Sequence, residues 1–144
     1  MVSIAKFDPG DRTEWERLFV AYNVFYEQSY EPSMYDRAWA LFQQDSVMHA
    51  YGATVDGKLV GFTHFLVHAS TTAPDVCYLE DLYTDPTIRG RGVGRALIEA
   101  VTEWARARQC SRVYWLTRET NSTARRLYDQ VADNSGFIVY EIPL

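Results

Sequence analysis

The chain has 144 residues, 47% hydrophobic and 23% charged, with a formal charge of −5. That length suits one substantial core and is too short for two, so residues 1–144 are expected to form a single domain, and the hydrophobic share excludes a disordered chain. The acidic balance argues against a nucleic-acid partner, and the lack of a leader-like segment or a run of about 20 apolar residues argues against a membrane, making a cytoplasmic protein the default expectation.

Val2 to Phe7 has strand character, and Asp8-Pro9-Gly10-Asp11 is a turn able to start a helix. Trp15, Leu18, Phe19, Tyr22 and Tyr26 then recur at steps of three and four, which predicts a helix through about Gln28. Ser29 to Pro32 breaks the pattern. A second helix is predicted over Ser33 to Gln44, with Tyr35, Ala38, Trp39 and Phe42 on one side. Val47 to Val55 and Lys58 to Val67 read as strands joined by Asp56-Gly57, a dipeptide suited to a two-residue hairpin turn. His49, His64 and His68 fall in or beside these strands without carboxylates or cysteines at ligand spacing, so no metal site is expected. His64 could accept a proton near a cleft, but an inert strand histidine is the plainer reading. Cys77 and Cys110 have no cysteine near them in sequence and read as two unpaired thiols in a reducing compartment.

The next strand, from about Asp75 to Thr84, carries Glu80 and Asp81 in its middle, where carboxylates are disfavoured in a buried sheet. Their side chains face opposite sides unless a bulge intervenes, so one of the two is expected to meet an acceptor. Arg89-Gly90-Arg91-Gly92-Val93-Gly94, followed by Arg95, then reads as a phosphate-binding turn. Glycines let backbone N–H groups approach an anion, and the helix that follows points its positive dipole end at the same place. A Walker-type loop fails because Gly94 is followed by Arg95-Ala96. A dinucleotide fingerprint fails because Gly94 comes too early and Tyr114 and Trp115 stand near where its acidic residue belongs.

Val93 to Arg108 is predicted as an amphipathic helix with Leu97, Ile98, Val101, Trp104 and Ala105 inward. Arg112 to Thr117 reads as a strand parallel to the previous one, because a whole helix intervenes. Asn121 or Ser122 caps a last helix through Tyr128, and Gly136 to Ile142 is expected to close the sheet as a final strand.

The Arg-x-x-Gly-x-Gly turn after Tyr78–Thr84 and Asp85-Pro86, the spacing Asn121, Ala124, Leu127, Tyr128, and the Gly136-Phe137 strand together resemble the GNAT family of N-acetyltransferases over about the last half of the chain. Leu79 to Tyr83, Val113 to Trp115 and Leu127 to Asp129 look most like its fungal histone and D-amino-acid acetyltransferase subgroup and bacterial relatives. The resemblance implies an α/β (α+β) single-domain fold: a mixed central sheet of about six to seven strands, about four flanking helices, and a parallel strand pair splayed at the acyl-CoA site. It implies acetyl-CoA as cosubstrate, no metal, an amine acceptor and a homodimer through the C-terminal strands. The backbone of Leu82, Tyr83 and Thr84 would hold the pantetheine. Arg89, Gly90, Arg91, Gly92, Val93, Gly94 and Arg95 would hold the pyrophosphate, with Asn121, Ala124 and Tyr128 completing the coenzyme site. Tyr22, Tyr26 and Glu27 would border the acceptor cleft together with Glu80.

An aliphatic ammonium has a pKa near ~10.4, so a base must take its proton: Glu80 first, Asp81 second. Tyr128 would donate its phenolic proton to the departing thiolate. A base at the position of Tyr78, or a water chain, is the alternative to a single carboxylate. A non-catalytic acyl-CoA-binding regulatory or interaction module is the alternative to an enzyme. The link from Tyr128 to Gly136 is several residues longer than the family pattern, which reshapes the surface expected beside the thiol.

Overall fold

The computed structural model describes residues 1–88 and 90–144. Its elements are β1 (Val2–Ala5), a 3-10 turn (Pro9–Asp11), α1 (Arg12–Phe25), α2 (Pro32–Gln44), β2 (His49–Val55), β3 (Lys58–His68), β4 (Val76–Thr84), α3 (Val93–Ala107), β5 (Val113–Tyr114) and α4 (Ser122–Val131). The strands form one sheet in the order β1-β2-β3-β4-β5, antiparallel except for the parallel β4–β5 pair. Asp56 and Gly57 both adopt positive φ, 51° and 77°, as a turn that follows the strand twist requires, and Val55 pairs with Lys58.

The amphipathic patterns decide the layers. Trp15, Leu18 and Phe19 of α1 and Tyr35 and Phe42 of α2 cover one face of the sheet against Leu59 and Phe62. Leu97, Ile98, Val101 and Ala105 of α3 cover the other, against Val60, Phe65, Cys77 and Leu79. Leu59 to Phe65 of β3 is buried throughout, which explains its near-continuous apolar run.

Three expectations need correction. Helix α1 stops at Phe25 because Glu27 turns left-handed at φ 59°, its N–H bonding to Val24 and the Gln28 N–H reaching back to Asn23. The strand expected over Arg112 to Thr117 shrinks to two residues: only Cys77↔Val113 and Tyr78↔Tyr114 pair, after which Trp115 packs on Tyr128 at 5.3 Å between ring centroids. The sheet has five strands among the described residues, not six to seven. Residues 133–144 form no ladder, and Phe137, Ile138, Tyr140 and Ile142 remain at least 75% exposed. A strand needs an edge whose N–H and C=O groups face it in register, and two-residue β5 offers almost none.

Candidate active site

The site grows from one irregularity in β4. Pairing with β3 runs Cys77↔Val67, Tyr78↔Leu66 and Leu79↔Phe65, then resumes at Asp81↔His64, so Glu80 is an extra residue, a β-bulge. Cys77 and Leu79 point to the α3 face, as does Leu82, while Asp81 and Tyr83 point to the face covered by α1 and α2. Without the bulge, Asp81 would share the side of Leu79 and its carboxylate would be driven into the α3 core. The opposed-face expectation for the two carboxylates therefore gives way to a kink that keeps Glu80 at the surface and turns Asp81 toward α1.

Around the kink lies an open cleft of about 380 Å³ lined by Tyr22, Tyr26, Glu80, Leu116, Thr117, Arg118, Val139 and Glu141. Glu80 keeps solvent contact, yet the surrounding protein, and after it the negative charge of Asp81, pushes its carboxyl up from the usual value. Burial, then the charge and hydrogen bonding of Asp81, raises the Tyr22 phenol. The Tyr26 phenol is raised chiefly by burial, opposed by Arg118, whose guanidinium lies 5.2 Å from its ring centroid. Tyr128, half-buried on α4, is pushed up to about 12 by burial and, secondarily, by Tyr26. Burial, then the charge of Glu80, also raises the Tyr78 phenol.

Beyond Tyr78, β4 runs on to Thr84, past the end of its two-residue register with β5. Asp85 shapes the approach to the glycine turn. Its Oδ1 accepts the Thr87 N–H at 3.0 Å and the Thr87 hydroxyl at 2.8 Å, bonds that hold the carboxyl below its ordinary range. Gly90 and Gly92 have φ of 76° and 74°, and nothing stands within 4 Å of the place a Cβ would take at either. The first helical bond of α3 is Ala96 N–H to Gly92 C=O, so the N–H groups of Val93, Gly94 and Arg95 precede the ladder. Left-handed glycines with open space about them, followed directly by a helix start, are features that suit an anion. Gly94 serves packing, because a Cβ there would come within 3.1 Å of Leu127 on α4. Arg91 is exposed, and Arg95 donates to Gln130 at 2.5 Å.

Most of the sequence-expected residues thus converge: Tyr22, Tyr26, Glu80 and Asp81 at the kink, Asn121 and Tyr128 beside Tyr26, and Gly90 to Arg95 at the α3 terminus. Ala124 lies one turn before Tyr128 on α4, half-buried. Glu27 does not join them; it sits past the end of α1, exposed in its left-handed turn and outside the cleft lining. Arg89 lies outside the described residues. Arg118, Val139 and Glu141 were not singled out in the sequence, because nothing local ties them to a cleft assembled from α1, β4 and the tail. His64, read there as an inert strand histidine or a proton acceptor, has its partners 17 and 49 residues away. A second opening of about 550 Å³, lined by Asp45, His49, Trp104, Arg108 and Cys110 among others, holds none of the expected site residues. Among the described residues no cluster of His, Cys, Asp or Glu could hold a metal ion, and no helix is long and apolar enough to cross a membrane.

Comparison with known proteins identifies the class as an acetyltransferase. A family model described as the acetyltransferase (GNAT) family matches residues 7–132. The chain is 32% identical over 145 residues to the D-amino-acid N-acetyltransferase of Saccharomyces cerevisiae, covering 97% of this chain and 89% of that one. A ribosomal-protein-alanine N-acetyltransferase from Brucella melitensis biovar Abortus 2308 superposes with a TM-score of 0.82 at 27% identity over the whole of both chains. An aminoglycoside N-acetyltransferase in complex with coenzyme A superposes with a TM-score of 0.87 at 17% identity over 99% of this chain and 95% of that one, a likeness of fold. The chain belongs to the GNAT acetyltransferase family, and it is an N-acetyltransferase for which that membership implies acetyl-CoA as cosubstrate.

Proposed function

We propose that residues 1–144 act as one acetyltransferase domain, moving an acetyl group from acetyl-CoA to a small cationic amine by direct attack in a ternary complex. The observation that carries this reading is the bulge at Glu80, which sets a carboxyl of raised pKa in the same cleft as Tyr22 and Tyr26, with Tyr128 next to Tyr26. The glycine cradle fits the coenzyme pyrophosphate: the N–H groups of Val93, Gly94 and Arg95 face it, Arg91 and Arg95 supply charge, and Asn121 and Ala124 border its far side. When bound, the coenzyme supplies a thioester. The backbone of Leu82, Tyr83 and Thr84 holds the pantetheine like an added strand, and an N–H there polarises the thioester carbonyl.

Glu80 takes the proton of the acceptor ammonium, directly or through water, and Asp81 adds the charge that favours a cation. Its raised pKa brings Glu80 nearer to the amine it serves. Glu80→Gln is expected to remove the acidic limb of the kcat/KM profile, which otherwise rises as pH climbs through a value above the usual carboxylate range near ~4.3. A limb unchanged in the variant would assign the proton to a water chain.

Arg118 across the cleft from Glu80 suits an acceptor that bears a carboxylate as well as an ammonium, so amino acids head the candidates, with polyamines, aminoglycoside-like amines and lysine peptides behind them. Release of free thiol from acetyl-CoA against a panel of these amines, L- and D-amino acids included, tests the reading. Amine-dependent release supports it, with the acceptor class given by the best substrate; none with any amine sinks it.

The exposed apolar run Phe137 to Ile142 supports the homodimer, since pairing with a second copy would remove it from water. Sedimentation should show a dimer at micromolar concentration and a monomer after deletion of residues 137–144. A monomeric full chain would refute the pairing. A cytoplasmic setting accords with the two unpaired cysteines.

A further inference from the structure

A buried polar chain runs from α1 through β3 to Asp81, next to Glu80 of the cleft. His64 on β3 is 1% exposed, stacked on Phe42 at 4.3 Å and Phe62 at 4.6 Å, with the edge of Phe19 at 4.8 Å. Its Nε2 lies 3.0 Å from Trp15 Nε1, and its Nδ1 lies 2.9 Å from Asp81 Oδ2. An indole nitrogen only donates, so Nε2 must be the lone-pair nitrogen of the ring. In the neutral imidazole the single N–H then sits on Nδ1 and donates to Asp81. The direction of both bonds follows from the indole alone.

The Trp15 indole therefore holds the ring through its Nε2 lone pair, and the Nδ1–H keeps one Asp81 oxygen engaged. The Asp81 backbone is pinned as well, because the Thr63 hydroxyl donates to its carbonyl at 2.8 Å. The titratable groups that face Asp81 are His64 from β3, Glu80 and Tyr78 from β4, and Tyr22 and Tyr26 from α1.

We propose that His64 is a positioning residue for amine acceptance: oriented by Trp15, it fixes the Asp81 carboxylate at the bulge so that its charge bears on the cleft beside Glu80 and Tyr22. It is not a base, since its free lone pair is occupied and water does not reach it. The inference rests on the acceptor cleft proposed above and adds the residue that holds its second carboxylate in place.

Two experiments decide it. In protein labelled with ¹⁵N at histidine, long-range proton–nitrogen correlation spectra should show the neutral ring of His64 as the Nδ1–H tautomer. An Nε2–H tautomer would overturn the proposal. This reading needs no turnover, so its failure is separable from a failure of the cleft. Kinetics supply the second test. His64→Leu removes the donor to Asp81, and the amine KM should rise about tenfold with the acetyl-CoA KM unchanged. His64→Asn places an amide N–H near the position of Nδ1 and should bring the amine KM back to within about threefold of the wild type. An amine KM unmoved in a folded His64→Leu protein, or a rise that His64→Asn shares in full, would reduce His64 to core packing and overturn the proposal.

Discussion

Tyr128→Phe is expected to lower kcat about 10- to 100-fold while leaving the acetyl-CoA KM within about twofold. The phenol is pushed up to about 12, chiefly by burial, so it is protonated throughout the neutral range and always has a proton to offer. A coenzyme thiol resembles a cysteine thiol, with a pKa near ~8.5, so complete transfer from this phenol to the thiolate would be uphill by roughly 5 kcal/mol. The larger part of the benefit is then a hydrogen bond to the charge developing on sulfur, not a finished proton transfer. Hydrogen bonds to charged groups contribute ~1.5–3 kcal/mol, which sets the expected factor. The ring stays in place in the variant because Trp115 packs on it from the side at 5.3 Å, so the bound coenzyme should barely notice the change. Steady-state kinetics with the best acceptor check this; an unchanged kcat would remove Tyr128 from the chemical step.

Trp15→Ala should lower the unfolding free energy by about 3–5 kcal/mol, the usual cost of truncating a buried large aromatic. Trp15 is 0% exposed and its ring lies within 6.4 Å of those of Phe7, Phe19, Tyr35, Trp39, Phe42 and His64. Six rings and the Arg12 guanidinium, 5.7 Å from the indole centroid, lose a common neighbour at once, and His64 loses its donor. In thermal unfolding the midpoint should fall by roughly 10–15 °C. A drop of only a few degrees would mean that α1 and α2 close the gap by moving together.

The cores on the two faces of the sheet were legible because helices and strands repeat their apolar residues at periods that differ, and α1, α2 and α3 each show one clean face. The glycine turn was legible for another local reason: positive φ favours glycine, and Gly90 and Gly92 take that conformation just before α3. Asn121 and Tyr128 were proposed through family spacing, not through periodicity. Glu27 lies outside the cleft lining because the backbone ends α1 at Phe25, before the helical face read from the sequence runs out.

What tertiary structure alone decided concerns the two carboxylates and the tail. Alternation along β4 cannot say where an extra residue enters, since a bulge depends on the partner strand's register; it took the pairing with β3 to bring Asp81 round to His64. The Trp15–His64–Asp81 chain joins three elements whose residues carry no common period, so no sequence window contains it. The run Gly136 to Ile142 has the composition of a buried strand, but whether a strand pairs depends on an open edge being in reach, and that is a property of the folded sheet. Local rules therefore determined the helices, the hairpin and the glycine turn, because torsion preferences and apolar periods act over a few residues. The length of β5, the fate of the tail and the placing of the two carboxylates were decided by register and packing, which act between residues the chain keeps far apart.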